Sequence, residues 1–174
     1  MASLRFHHTL RATLLLGLLG AALLLSGCAS PPRFEAAPVP PRQISEDSAR
    51  ERSEVALAAM SLLDVRYKWG GRGPATGFDC SGLVRHVFAE GTGRKVSGNA
   101  AQLAAQARPV DSSDLQPGDL VFFNTLGAAF SHVGVYIGSG KFVHASNERT
   151  GVRVDKLSNS YYAKRFEGAR SLLD

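Results

Sequence analysis

The 174-residue chain has only two cysteines, one tryptophan and two methionines. Two cysteines cannot form a disulfide framework, and no Cys-x-x-Cys or His-x-x-x-His pair is present to anchor a metal site. No block of five or six basic residues marks a nucleic-acid surface. The longest mostly apolar run, residues 12–25, has fourteen residues, short of the roughly 20 that a membrane-spanning helix needs. The basic excess is small. The formal charge is +5, but Arg5 and Arg11 lie in the first 27 residues, where there is no acid. Without them 18 basic residues face 15 acidic ones. What remains is an ordinary globular balance, 44% hydrophobic and 20% charged, of a size for one domain.

The N-terminus is organised as an address. Arg5 and Arg11 precede the apolar run, which ends in Leu25-Ser26-Gly27-Cys28. A positive start, a short apolar core and small residues at its end predict a signal peptide over residues 1–27. The tetrad resembles the bacterial lipobox, which implies cleavage before Cys28 and acyl chains on its new N-terminus. Ala29 follows the cysteine, and the sorting rule of such lipoproteins then implies the outer membrane, facing the periplasm. Several acyl chains on one residue give stable anchoring. Residues 28–44 hold five of the eight prolines and read as an extended linker.

The domain is expected over residues 45–174. Ser45 is a candidate N-cap, and Val55, Ala56, Ala59, Met60, Leu62 and Leu63 form a helical stripe, predicting a helix over 46–63. Residues 67–78 carry four glycines and a proline and read as a loop. Leu83, Val84, Val87 and Phe88 predict a buried helix opening at or just before Cys80. A short helix over 97–107 has Ser97 or Asn99 as its cap. After Pro109 the runs GDLVFFN, HVGVYIG, KFVHAS and GVRVDKL are β-branched and aromatic, and predict consecutive antiparallel strands. A short helical turn and a last strand are expected within 158–172. Helices first and strands afterwards predict an α+β fold. In LQPGDL, Asp119 is given a turn role.

Cys80 is the residue with chemical promise. A disulfide to Cys28 conflicts with lipidation of Cys28, so Cys80 is expected to be a free thiol outside the cytoplasm, where a lone thiol is a hazard. At a helix start, unpaired N–H groups and the dipole favour a thiolate and can lower its pKa. A nearby histidine is the second requirement, to protonate a leaving amine. His7 and His8 leave with the signal peptide. His86, six residues on, is turned by about 600° and points away from Cys80 onto the surface. His132 and His144 lie on adjacent predicted strands, twelve residues apart. A three-residue loop, Gly138-Ser139-Gly140, puts both on one face, whereas a two-residue loop would split them. From spacing alone, a Cys–His–His relay and a pair of packed core histidines both stand. A zinc site built from one cysteine and two histidines is the rival use, and it lacks any local ligand pair.

Taken jointly and in order, YKWGG, GFDCSGLVRHVF, LQPGDLVFF, SHVGVYIG and FVHAS resemble the NlpC-type cysteine peptidases. These are papain-like bacterial enzymes that hydrolyse peptide bonds in peptidoglycan stems and crosslinks. The likeness spans about 120 residues, 53–173. It implies a papain-like arrangement with N-terminal helices packed on a mostly antiparallel sheet. It implies Cys80 as nucleophile, His132 as general base and acid, and His144 as the group that orients it. Tyr67 is implied to help the oxyanion hole, and Asp79 and Ser81 to line the substrate groove. Where the family often has proline-arginine-threonine before the third helix, this chain reads VSGNA at 96–100. The expected partners are peptidoglycan and, through Cys28, the membrane, with no nucleic acid, metal or cofactor. The competing readings are an idle peptidoglycan-binding or partner-docking lipoprotein and a related thiol amidase or acyltransferase. Acyl-lipid members of the wider superfamily usually place His before Cys. Here Cys comes first.

Overall fold

The computed structural model describes residues 45–173. The signal peptide, Cys28 and the proline-rich linker fall outside the described residues. Helix α1, Glu46–Ser61, starts where the Ser45 hydroxyl accepts the Ser48 N–H, with Glu46 and Asp47 in its first turn. Helix α2, Cys80–Thr92, is capped by Asp79 and ends at Gly93, whose φ of 70° is a left-handed stop. Helix α3, Ala100–Gln106, is closed by a capping box between Asn99 and Gln102.

Of the eight strands among the described residues, five are the expected ones in the expected order and three are additions. Strands β1 (Arg72–Gly73) and β2 (Gly77–Phe78) form a short ribbon inside the segment read as a loop. A three-residue strand β3, Arg108–Val110, lies at an edge. Strands β4 (Leu120–Phe123), β5 (His132–Gly138), β6 (Lys141–Ala145) and β7 (Val152–Lys156) form an antiparallel meander. After the single turn α4, Ser160–Ala163, strand β8 (Phe166–Ser171) returns to pair with β4, giving the order β3-β8-β4-β5-β6-β7. The fold is α+β, as expected.

Alternation divides the sheet. Leu120, Phe122, Val133, Val135, Val143, Ala145 and Val152 share one core with Val55, Ala59, Leu83, Val84, Val87 and Leu103 of the helices. Val121, Phe123, Tyr136, Phe142 and Ala169 pack on the other side with Tyr162 of α4. His132 and His144 belong to this second set.

The β5–β6 turn differs from the expected three-residue loop. Gly138 pairs with Lys141, which leaves Ser139-Gly140 as the turn, and both have positive φ (53° and 69°). A bulge between Tyr136 and Gly138 supplies the extra residue. Val135 therefore faces Val143, and His132 stays a diagonal same-face neighbour of His144. A two-residue turn splits the pair only in a ladder without a bulge.

Asp119 has the expected turn role and more. Its Oδ2 accepts the Gln116 N–H, while Oδ1 accepts from Arg52 at 2.7 Å. Arg52 also donates to Ser171 Oγ and the Leu173 carbonyl. This ion pair is almost fully buried and ties α1 to the sheet and the chain's end.

Candidate active site

Cys80 is the first residue of α2, and a backbone lock holds it there. Asp79 Oδ1 accepts the Gly82 N–H at 2.6 Å and the Ser81 hydroxyl at 2.9 Å, and Oδ2 accepts the Gly70 N–H at 2.9 Å. One carboxylate thus caps the helix and pins the preceding loop to it. Gly82 is required because a Cβ there would lie 1.9 Å from the Gly71 carbonyl oxygen. The glycines of WGG and CSG are two halves of one close backbone approach.

The backbone N–H groups of Val133, Ser81 and Cys80 itself favour the ionised sulfur. Val133 is the neighbour of His132, and Cys80 and His132 line one cleft of about 180 Å³ with Tyr67, Trp69, Asp79, Ser81, Asn99 and others. His132 Nε2 is 2.7 Å from His144 Nδ1, with the rings nearly perpendicular. His144 Nε2 is 2.9 Å from Asp155 Oδ2, and Arg153 donates to Asp155 Oδ1 at 3.0 Å. The Tyr162 hydroxyl is 3.4 Å from the same His144 nitrogen.

Electrostatics correct one expectation. Burial pushes the Cys80 thiol up to about 11, outweighing the amide donors and the helix start. Burial, and then His144, pushes His132 down to about 3. Burial therefore favours the uncharged form of both groups, and the thiol can ionise by handing its proton to His132. Burial also lowers His144, against the opposing hydrogen bond that it donates to Asp155. Burial raises Tyr67, helped by the charge Cys80 gains on ionising and by that of Asp79, so its hydroxyl stays a donor.

These shifts bear on stability. The unfolded chain binds a proton at His132 near the ordinary 6.5, whereas the folded protein does so near 3. The neutral ring's contribution is complete above pH 6.5 and lost as pH falls towards 3. Thermal melts should decline from pH 6.5 downward, above the carboxylate range, by on the order of a few kcal/mol. His132→Gln should flatten that upper part of the decline. A profile unchanged by the substitution counts against a buried neutral His132.

The structure brings Cys80, His132, His144 and Tyr67 together. Asp79 and Ser81 also line the cleft, but their polar side-chain atoms are engaged with each other and the backbone. His86 is not on the surface as expected. It is half-buried against Phe78 at 5.1 Å between rings, and it has no place in the cleft. Sequence reading missed Asp155 and the cleft-lining Trp69 and Asn99. Asp155 alternates with Val152 and Val154 on β7, which signals a face opposite the helical core. Its register against His144 depends on the 146–151 turn, which periodicity does not determine.

A nucleophile opening a helix that packs on an antiparallel sheet, with a histidine pair across the cleft, defines a papain-like thiol fold. The chain belongs to the NlpC/P60 family, whose profile matches residues 64–171. It is 38% identical over 117 residues to the murein DD-endopeptidase MepH of Escherichia coli K12, covering 66% of this chain and 43% of that protein. It is 37% identical over 130 residues to the gamma-DL-glutamyl hydrolase of Bacillus subtilis, covering 74% and 31%. The chain thus spans less than half the length of these curated relatives. Among solved structures, an NlpC/P60 family protein from Bacillus cereus superposes with a TM-score of 0.65 at 27% identity, covering 71% of this chain and 40% of that one. The NlpC/P60 domain of the peptidoglycan hydrolase SagA gives 0.59 at 30%, covering 70% and 98%.

Proposed function

We propose that this protein is a peptidoglycan endopeptidase, acting in the periplasm on stem-peptide or crosslink amide bonds from a lipid anchor at the outer membrane. The observation that carries the reading is the continuous line from the Cys80 cleft through His132 to His144, on the scaffold of a family whose relatives are named as murein hydrolases. Substrate enters the cleft, and His132 takes the thiol proton as sulfur attacks the scissile carbonyl. The C–S bond forms and the oxyanion is held by the Tyr67 hydroxyl and the Cys80 N–H. The C–N bond then breaks, with His132 returning the proton to the departing amine. Water attacks the thioester with His132 as base, releasing the acid and restoring the thiol.

Digestion of purified sacculi tests this reading. Wild type should release shorter or uncrosslinked peptides and Cys80→Ser should not, whereas equal products from both remove the assignment. The anchor rests on the lipobox resemblance and the apolar run before it. Wild type should incorporate labelled palmitate and Cys28→Ala should not. Equal labelling of both proteins contradicts the anchor.

A further inference from the structure

Beyond the Cys–His–His set lies a fourth group that neither the sequence motifs nor the family likeness designates. We propose that Asp155 is a positioning residue that sets the proton arrangement of both histidines and so keeps the Cys80-facing nitrogen of His132 free to act as base. The proposal rests on the thiol-hydrolase reading above, and it follows from which atoms meet.

A carboxylate only accepts, so the 2.9 Å contact requires a proton on His144 Nε2. A neutral His144 then carries a lone pair on Nδ1. That lone pair, 2.7 Å from His132 Nε2, requires the proton of His132 to sit on Nε2. The remaining nitrogen, Nδ1 of His132, is left with a lone pair on the side away from His144, where it can take the Cys80 proton. Each step has one solution, and the acceptor that starts the chain is Asp155. Arg153 fixes the carboxylate by holding its other oxygen at 3.0 Å.

The surroundings suit a permanent anion. His144 and Lys141 of β6, Arg153 and Lys156 of β7 itself, and Tyr162 of α4 face or flank Asp155, with His132 behind His144. Burial raises the Asp155 carboxyl, but the His144 hydrogen bond and the Arg153 charge outweigh it and leave it below the ordinary carboxylate range. Asp155 lies outside the Cys80 cleft and lines a separate surface cavity of about 600 Å³ with Lys141, Lys156, Ser158 and Asn159. Its influence on Cys80 therefore runs through the two rings and not through substrate.

Asp155→Asn keeps the shape and inverts the logic. Arg153 is a donor, so it holds the amide oxygen and turns the NH₂ group towards His144. His144 Nε2 must then accept, its proton moves to Nδ1, and His132 Nε2 becomes the acceptor. The His132 proton is forced onto Nδ1, where it blocks transfer from the thiol. An amide in place of the orienting carboxylate of a serine-protease triad strands the ring in the same wrong form.

The experiment compares wild type and Asp155→Asn in two assays, with melting curves as a control for folding. Turnover of sacculi should fall by at least about 100-fold, with KM changed by about twofold or less. Iodoacetamide alkylation of Cys80, which needs no substrate, should move its pH profile in the alkaline direction, because the thiol has lost its internal base. Asp155→Ala removes the acceptor altogether and is read in the same way, so a folding defect in one variant leaves the other. Turnover within about threefold of wild type and superposed alkylation profiles overturn the proposal. If wild type leaves sacculi intact while the alkylation profiles still separate, Asp155 has the role assigned to it and the peptidoglycan reading is the part that fails.

Discussion

Cys80→Ser is expected to lower sacculus hydrolysis by at least about 10⁴-fold, on the scale seen when the nucleophile of an acyl-transfer set is removed, while the fold survives. The reason lies in acidity and reach. A hydroxyl is far less acidic than a thiol, and His132 is already a weak base, its pKa pushed down to about 3 by burial. It can accept a proton only where the conjugate nucleophile is stabilised. The N–H groups of Val133, Ser81 and Cys80 favour the ionised sulfur, and a shorter C–O bond draws the oxygen back from them. Residue 80 is only partly buried, so cleft water can complete the serine hydroxyl's hydrogen bonds, and melting should move by no more than about 1 kcal/mol equivalent. The assay is muropeptide mass spectrometry beside differential scanning calorimetry. Retained hydrolysis at a tenth of the wild-type rate would mean that the bond is cut by other means.

The largest stability effect is expected at a residue far from the chemistry. Asp119→Ala removes the carboxylate that meets Arg52 at 2.7 Å and leaves a guanidinium with only 3% of its side chain exposed. The Ser171 hydroxyl and the Leu173 carbonyl still accept from it, but the short charge-assisted contact with the carboxylate is gone. Breaking a buried pair from one side costs about 3–5 kcal/mol, or roughly 10–20 °C in melting temperature for a domain of this size. The Gln116 N–H loses its acceptor in the same step. Asp119→Asn keeps that acceptor and the side-chain shape, so it should lose less than Asp119→Ala. Activity per folded molecule should be unchanged in both. An Asp119→Ala protein that melts within about 3 °C of wild type contradicts this account.

Helix starts and strand order were legible because the signals are local. Ser45 caps α1, the apolar stripe of α2 begins right after Cys80, and β4 to β7 read as period-two runs between turn residues. The pairing of His132 with His144 was legible only as a possibility, because it depends on register. The bulge before Gly138 that fixes that register leaves no mark in composition. Strands β1 and β2 were invisible among glycines, since two-residue ribbons carry no periodicity. Asp155 was hidden for a different reason. An acid on an edge strand is usually a solvated one, and only the tertiary pairing of His144 with Arg153 brings it under an imidazole. The acidity of Cys80 also could not be read from its place in sequence. The helix start was visible, but the burial that outweighs it belongs to the assembled cleft.

The bulged turn at 137–140 acts as a parity bit for the catalytic machinery. One residue deleted or inserted between His132 and His144, with no compensating bulge, sends the second imidazole to the helix-facing core and severs it from Asp155. Length changes there are tolerated only in pairs. Loop grafting at this tip, which does not line the Cys80 cleft, should uncouple the two rings while the sheet remains intact.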